Sequence, residues 1–140
     1  MQSPKFNPLE EGNDLLIDFQ KMAQVSACGQ DLVPVVTQDF HTKDVLIIAY
    51  ANRQALVYTL TEKKACFWST SRNELWVKGA TSGDELELVE VRVNCEQNAL
   101  LYLVTPKGKG ACHTQDAQGK SRNTCFYRKI EDSHLTHLPL

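Results

Sequence analysis

The chain has 140 residues, of which 42% are hydrophobic and 23% charged, with a formal net charge of −2. That length fits one domain able to bury a core without staples, and the composition excludes a disordered or low-complexity chain. The charge balance excludes a basic field for nucleic acid or anionic membrane, and the longest apolar run, Val45 to Ala51, falls far short of the ~20 residues of a membrane span.

The opening stretch MQSPKFNPLEEG lacks an apolar core, so no secretory signal is expected there. Residues 1–13 read as a polar lead-in. Asn13-Asp14 is expected to cap a helix carrying Leu15, Leu16, Phe19 and Met22 at near-helical spacing. Small and polar residues at 26–31 predict a turn, and the β-branched stretch Val33 to Thr37 a strand. After a turn at His41 to Asp44, the continuous apolar run to Tyr50 predicts a central strand buried on both faces. Asn52 is expected to cap a helix reaching Glu62, with Ala55, Leu56 and Leu60 on its apolar face. Ala65 to Ser69 and Leu75 to Val77 read as strands. Between Glu85 and Val93 the alternation changes phase: Leu86 and Leu88 face one way, Val89, Val91 and Val93 the other. That predicts a β-bulge near Leu88. Ala99 to Val104 is the last expected strand. The chain therefore reads as α/β of the α+β type: a single compact domain, mainly antiparallel or mixed β-sheet, with few helices.

There are five cysteines, Cys28, Cys66, Cys95, Cys112 and Cys125. An odd number without a secretory signal points to a reducing cytoplasm, where thiols serve as core residues, metal ligands or catalysts. Cys66 lies in the apolar run ACFW and reads as a buried small hydrophobe; Cys28 reads as incidental. Cys95, Cys112 and Cys125 have polar neighbours and form the candidate metal set. Three thiolates suit zinc and leave a fourth position for a water whose pKa falls to about 7. His113 follows Cys112 directly and can ligate or move a proton. No paired C-x-x-C signature is present, so unrelated thiols stand as the alternative.

Ser69 to Gly83 combines hydroxyls, glycines, Arg72 and Lys78 around Trp76. Such a loop exposes backbone N–H groups that cradle phosphate, with two cations to neutralise it and an indole to stack on a ring; a polar hairpin with a core tryptophan is the plain alternative. Asn94, Glu96 and Asn98 bear oxygens at every second position, which share a face on an extended segment and suggest a weak, water-mediated Mg²⁺ site. A solvated strand end is the competing reading. His41, His134 and His137 read as ordinary surface histidines.

Taken together, VPVVTQD, VLIIAYANRQAL, FWSTSRNELWVKGATSG, NCEQNALLYLV, GACHT and TCFY resemble the phosphoribosyl-AMP cyclohydrolase family of histidine biosynthesis, from Leu32 to Tyr127. The combination SR-x-x-LW-x-KG-x-x-SG with a downstream ACHT carries the resemblance. It implies hydrolysis of the N1–C6 bond of the adenine ring in 1-(5-phosphoribosyl)-AMP, a phosphorylated purine nucleotide. It implies an intertwined homodimer with zinc at the subunit interface, Cys95 from one subunit and Cys112 with Cys125 from the other. It implies His113 as the catalytic histidine and Ser71, Arg72, Trp76, Lys78, Gly79, Ser82 and Gly83 as the substrate loop. The corresponding division is a lead-in and helix over 1–31, a cyclohydrolase domain over 32–130 and a tail over 131–140. The chain departs from the family pattern in several places. Thr70 stands where the family usually has arginine, Ala80 where it has an acid, and Asn94, Glu96 and Asn98 where it has aspartates, which weakens Mg²⁺ binding. An insertion spans Gln115 to Asn123; closing the longer loop costs only about a few tenths of a kcal/mol. These departures motivate two alternatives: zinc-dependent hydrolysis of another purine nucleotide, or a non-catalytic zinc-stabilised nucleotide-binding module. Retention of His113 beside Cys112 argues against the latter, because a purely structural site gains from a fourth protein ligand.

Overall fold

The computed structural model describes residues 7–139. In chain order the elements are α1 (Pro8–Glu11), α2 (Lys21–Ala27), β1 (Val33–Asp39), β2 (Val45–Ala51), α3 (Arg53–Glu62), β3 (Cys66–Ser69), β4 (Glu74–Val77), β5 (Leu86–Val93), β6 (Leu100–Pro106), β7 (Arg128–Glu131) and β8 (His134–His137). The main sheet has four strands in the order β2-β1-β6-β5, and β3-β4 and β7-β8 are separate hairpins. All pairings are antiparallel except β1 with β6, which runs parallel from Val35 opposite Leu100 to Asp39 opposite Val104. Among the described residues no helix is long and apolar enough to cross a membrane. The fold is thus the expected α+β domain of mixed sheet with few helices.

The core lies between the main sheet, α3 and the β3-β4 hairpin. Val35, Leu86, Tyr102 and Val104 from the sheet meet Ala55 of α3 and Phe67 of β3, all essentially inaccessible to water. Asn52 caps α3 as expected, its Oδ1 accepting the Ala55 N–H at 2.9 Å. The buried face of the helix differs from the expected one: Ala55 and Thr59 are buried, whereas Leu60 is exposed. Thr59 earns this place through hydrogen bonds. Its hydroxyl donates to the Ala55 carbonyl at 2.9 Å and accepts the Cys66 N–H at 2.9 Å. The Tyr102 hydroxyl, 3.4 Å from Thr59 Oγ1, donates to the Cys66 carbonyl at 3.2 Å. The start of β3 is thereby tied to both α3 and β6.

Other expectations divide. The bulge is present: the β5-β6 register shifts between Leu88 and Glu90. Cys66 is fully buried, and burial pushes its thiol up to about 11. The strand at Val45–Ala51 is at the edge of the sheet rather than central. Its run of apolar residues is explained otherwise: Leu46, Ile47 and Ala51 enter the core, while Val45 and Ile48 are exposed. The helix expected from Asn13-Asp14 does not form. Asn13 O accepts the Leu135 N–H at 2.8 Å, Asp14 bridges His134, and the helix starts only at Lys21. Helical spacing needs an apolar surface to receive its stripe; here Leu16, Phe19 and Met22 are exposed instead. Within the segment 131–140, expected as a tail, Glu131 ends β7 and His134–His137 form β8 of the hairpin.

Thr59→Val keeps the volume of the side chain but leaves the buried Cys66 N–H without its acceptor. It is expected to cost about 1–3 kcal/mol, read as a lower urea midpoint at unchanged slope. A midpoint equal to wild type would show that the Thr59 hydroxyl is not the tie between α3 and β3.

Candidate active site

The β3-β4 hairpin and the turn after it carry the hydroxyl- and glycine-rich segment Ser69 to Gly83. Val77 pairs with Cys66, and the Lys78 N–H continues the ladder to the Ala65 carbonyl at 3.1 Å. The chain then turns at Gly79, where φ is +80° and a Cβ would run into the backbone of Asp84 and Glu85; only glycine fits. Asp84 Oδ1 accepts the Lys109 N–H at 2.8 Å, and Ser121 Oγ donates to Asp84 Oδ2 at 3.4 Å. One carboxylate thus fastens the turn to two loops that lie beyond β6.

Those loops bring in the cysteines. The Cys125 N–H donates to the Leu46 carbonyl on the free edge of β2 at 2.8 Å, and Thr124 Oγ1 donates to the Val45 carbonyl at 2.7 Å. The Cys112 N–H donates to the Arg122 carbonyl at 2.9 Å. The Cys112 and Cys125 side chains lie close enough for each thiol to shift the titration of the other. The Cys125 thiol, acting as donor, holds Cys112 down to about 5 against the opposing effect of burial, with further help from Thr114 and His113. Cys125 is raised in turn, first by that hydrogen bond and then by burial. Thr114 Oγ1 lies 3.0 Å from Cys112 Sγ. The pair therefore carries one ready thiolate near neutral pH, the state a metal takes.

Two cavities open beside the pair. One, of about 300 Å³, is lined by Arg72, Trp76, Lys78, Gly79, Ser82, His113 and Cys125. The other, of about 510 Å³, is lined by Lys78, Ser82, Gly83, Lys109, Cys112 and His113. They share Lys78, Ser82 and His113. Lys78 is only 6% exposed and, among the described residues, has no ion-pair partner. Trp76 packs on Phe67 with centroids 5.4 Å apart and also lines the smaller cavity. Lys21 Nζ donates to Thr70 Oγ1 at 2.9 Å, so α2 brings a cation to this corner of the loop.

Some predicted residues lie elsewhere. Ser71 sits in the β3-β4 turn, its Oγ 3.4 Å from Ser69 Oγ, and lines neither cavity. Asn94, Cys95, Glu96 and Asn98 occupy the β5-β6 turn at the other end of the main sheet. By register Leu100 is level with Val35 and Ala49, and three strand spacings separate β6 from Cys125 on the β2 edge. This places Cys95 beyond roughly 10 Å along the strands and roughly 14 Å across them. The segment is a turn with Gln97 at φ +55°, not the expected extended stretch. The turn forms because Asn94 Oδ1 accepts the N–H groups of Asn98 and Ala99, both at 2.9 Å. Asn94 Nδ2 donates to Asn98 Oδ1 at 2.6 Å, and Asn98 Nδ2 to Glu96 Oε2 at 3.1 Å.

Sequence reasoning missed Asp84, Thr114, Lys109 and Glu10. Asp84 was signalled by its place after Ser82-Gly83, and Lys109 by its glycine neighbours. Glu10 had no signal: its Oε1 lies 2.9 Å from His113 Nε2 across 103 residues of chain.

The chain matches the family model described as phosphoribosyl-AMP cyclohydrolase over residues 47–127. It is 50% identical to the phosphoribosyl-AMP cyclohydrolase of Archaeoglobus fulgidus over 104 residues, 74% of this chain and 90% of that relative. It is 43% identical to that of Chloroherpeton thalassium over 118 residues, 84% of this chain and 79% of that relative. The chain belongs to the phosphoribosyl-AMP cyclohydrolase family. The matched span contains the hairpin loop, Cys95, Cys112, His113 and Cys125, so the cavities described above are built from the part of the chain that defines the cyclohydrolase family. Glu10 lies outside it.

In the metal-free protein, ultraviolet thiolate absorbance is expected to show one thiolate forming near a pH of about 5, that of Cys112. Cys125→Ala removes the donor and should return this titration toward the ordinary thiol range. A Cys125→Ala protein that still titrates as wild type would show that the Cys125 thiol does not control it.

Proposed function

We propose that the chain hydrolyses the N1–C6 bond of the adenine ring of 1-(5-phosphoribosyl)-AMP, as a phosphoribosyl-AMP cyclohydrolase of histidine biosynthesis in the cytoplasm. The observation that carries this reading is the convergence of Lys78, Ser82 and His113 on two shared cavities beside the Cys112–Cys125 pair, in a member of this family.

The donor set fits zinc. Cys112 and Cys125 supply adjacent thiols, one held as thiolate, and Cys95 is exposed at the far end of the sheet. A second copy of the chain would bring its Cys95 to this pair, completing three sulfur ligands and leaving a place for water. Bound there, zinc would supply a water nucleophile active at neutral pH. Exposed Leu16, Ile17, Phe19, Met22 and Ile48 offer apolar surface for the second copy to cover.

The remaining roles belong to the chain's own side chains. Lys78 is a buried cation without a carboxylate, which favours an anionic ligand in the cleft. Arg72 and Lys109 lie where they can meet the phosphates of the substrate. Trp76 presents its indole to the purine in the smaller cavity. As water oxygen bonds to C6 it gives up a proton and, as the C6–N1 bond breaks, N1 gains one; His113 at the junction of the cavities is the group to take that proton and pass it to N1. Mg²⁺ fits the turn at Asn94–Asn98 poorly. Asn94 Oδ1 is spent on two backbone N–H groups and Glu96 is the sole carboxylate of the turn, so added Mg²⁺ is not expected to be required.

A mixing experiment tests the shared site. Cys95→Ser and Cys112→Ser homodimers, each zinc-supplemented, should lack ring-opening activity on phosphoribosyl-AMP. After co-refolding, mixed dimers hold one intact site and activity should return. Absence of recovery, with mixed dimers demonstrated by mass, would rule out ligands drawn from two chains. Absence of turnover in the zinc-loaded wild type would rule out the reaction itself.

A further inference from the structure

The lead-in segment is fastened down more firmly than its sequence suggests. α1 has only four residues, too few for a helix to stand alone. Its carbonyls are nonetheless taken one after another. Arg128 donates from Nη2 to the Leu9 carbonyl and from Nη1 to the Gly12 carbonyl, both at 3.0 Å. The Tyr127 hydroxyl donates to the Glu10 carbonyl at 2.6 Å. Arg122 donates from both Nη atoms to the two carboxylate oxygens of Glu11 at 3.3 Å. Tyr127 is buried, with the guanidinium of Arg122 at 4.2 Å from its ring centroid and that of Arg128 at 5.0 Å.

The side chain this anchoring holds against His113 is that of Glu10, whose Oε1 lies 2.9 Å from Nε2. Among the described residues no other side chain is hydrogen-bonded to the His113 ring, which is 74% exposed. A half-exposed ion pair contributes little to stability, so the anchoring is not explained by the pair itself. It does fix the imidazole. A carboxylate that only accepts at this contact selects the Nε2–H form of the ring and leaves Nδ1 as its unprotonated nitrogen.

We propose that Glu10, delivered by the anchored strap Asn7–Gly12, is the positioning residue of His113, holding its ring orientation and its Nε2–H tautomer for proton transfer. This rests on the assignment of His113 as the proton carrier. Glu10 touches neither substrate nor metal in this scheme; it acts through the imidazole. The strap therefore adds to the site from a part of the chain outside the family match.

The test uses the zinc-loaded full-length chain in its native assembly, with Glu10→Ala, Glu10→Gln and Arg128→Met beside wild type. Glu10→Ala is expected to lower kcat by about tenfold or more with little change in KM, at an unchanged melting temperature. Glu10→Gln keeps an oxygen acceptor and should retain most of the wild-type kcat. Arg128→Met releases the strap without touching Glu10 and should lower kcat in the same direction. Ring ¹⁵N signals of His113 should show the Nε2–H form in wild type and a mixture of tautomers in Glu10→Ala. Wild-type kcat in Glu10→Ala, a rise in KM alone, or unmoved ring signals would each overturn the proposal while leaving the cyclohydrolase reading intact. Should wild type show no turnover, that reading fails, and the ring signals alone then decide whether Glu10 sets the tautomer.

Discussion

The Cys125 N–H bonded to the Leu46 carbonyl is the contact on which the site depends. It sits on the outer edge of β2, a strand whose other edge is already paired with β1. An uncovered edge is a row of unused donors and acceptors and a template for unwanted pairing. Thr124 and Cys125 cover part of it with backbone and hydroxyl bonds to Val45 and Leu46. The same bonds fix where Cys125 lies, and Cys112 follows because its own N–H is held by Arg122 only a few residues earlier in that loop. Edge protection and thiol pairing are one event.

Around that contact the chain distributes unlike tasks. Asp84 uses its two oxygens to lock the glycine turn to the loops at Lys109 and Ser121. Thr59 uses one hydroxyl to lock α3 to β3. Both spend charge or polarity on tying separate segments together. Lys78 is left buried and, among the described residues, without an ion-pair partner, beside the Cys112–Cys125 pair.

The far turn at Asn94–Asn98 obeys a different logic. Its amides satisfy one another and the backbone, which makes a rigid hairpin end that presents exposed Cys95. Aspartates in those places would repel one another unless a cation joined them; amides need none. The turn of this chain is closed by hydrogen bonds alone.

The sequence by itself determined the residue types of the site, the strands that carry them and the bulge at Leu88, because these are local matters: spacing, β-branching, glycine turns and a change of phase. It also determined the family, through a loop motif and a downstream Cys-His pair. It failed where a local pattern needed a distant partner. Leu15 to Met22 has helical spacing, yet the helix begins only at Lys21, and Leu16, Phe19 and Met22 stay exposed, with no surface among the described residues to receive the stripe. Val45–Ala51 is apolar throughout, which describes a buried central strand and an edge strand packed on one face equally well; only the strand order separates them. The separation of Cys95 from Cys112 and Cys125 was decided by the register of the sheet. The meeting of Glu10 with His113 was decided by Arg122, Tyr127 and Arg128 gripping a strap more than a hundred residues away in sequence. Pairwise contacts across such distances leave no periodicity in the chain, so only the tertiary structure decides them.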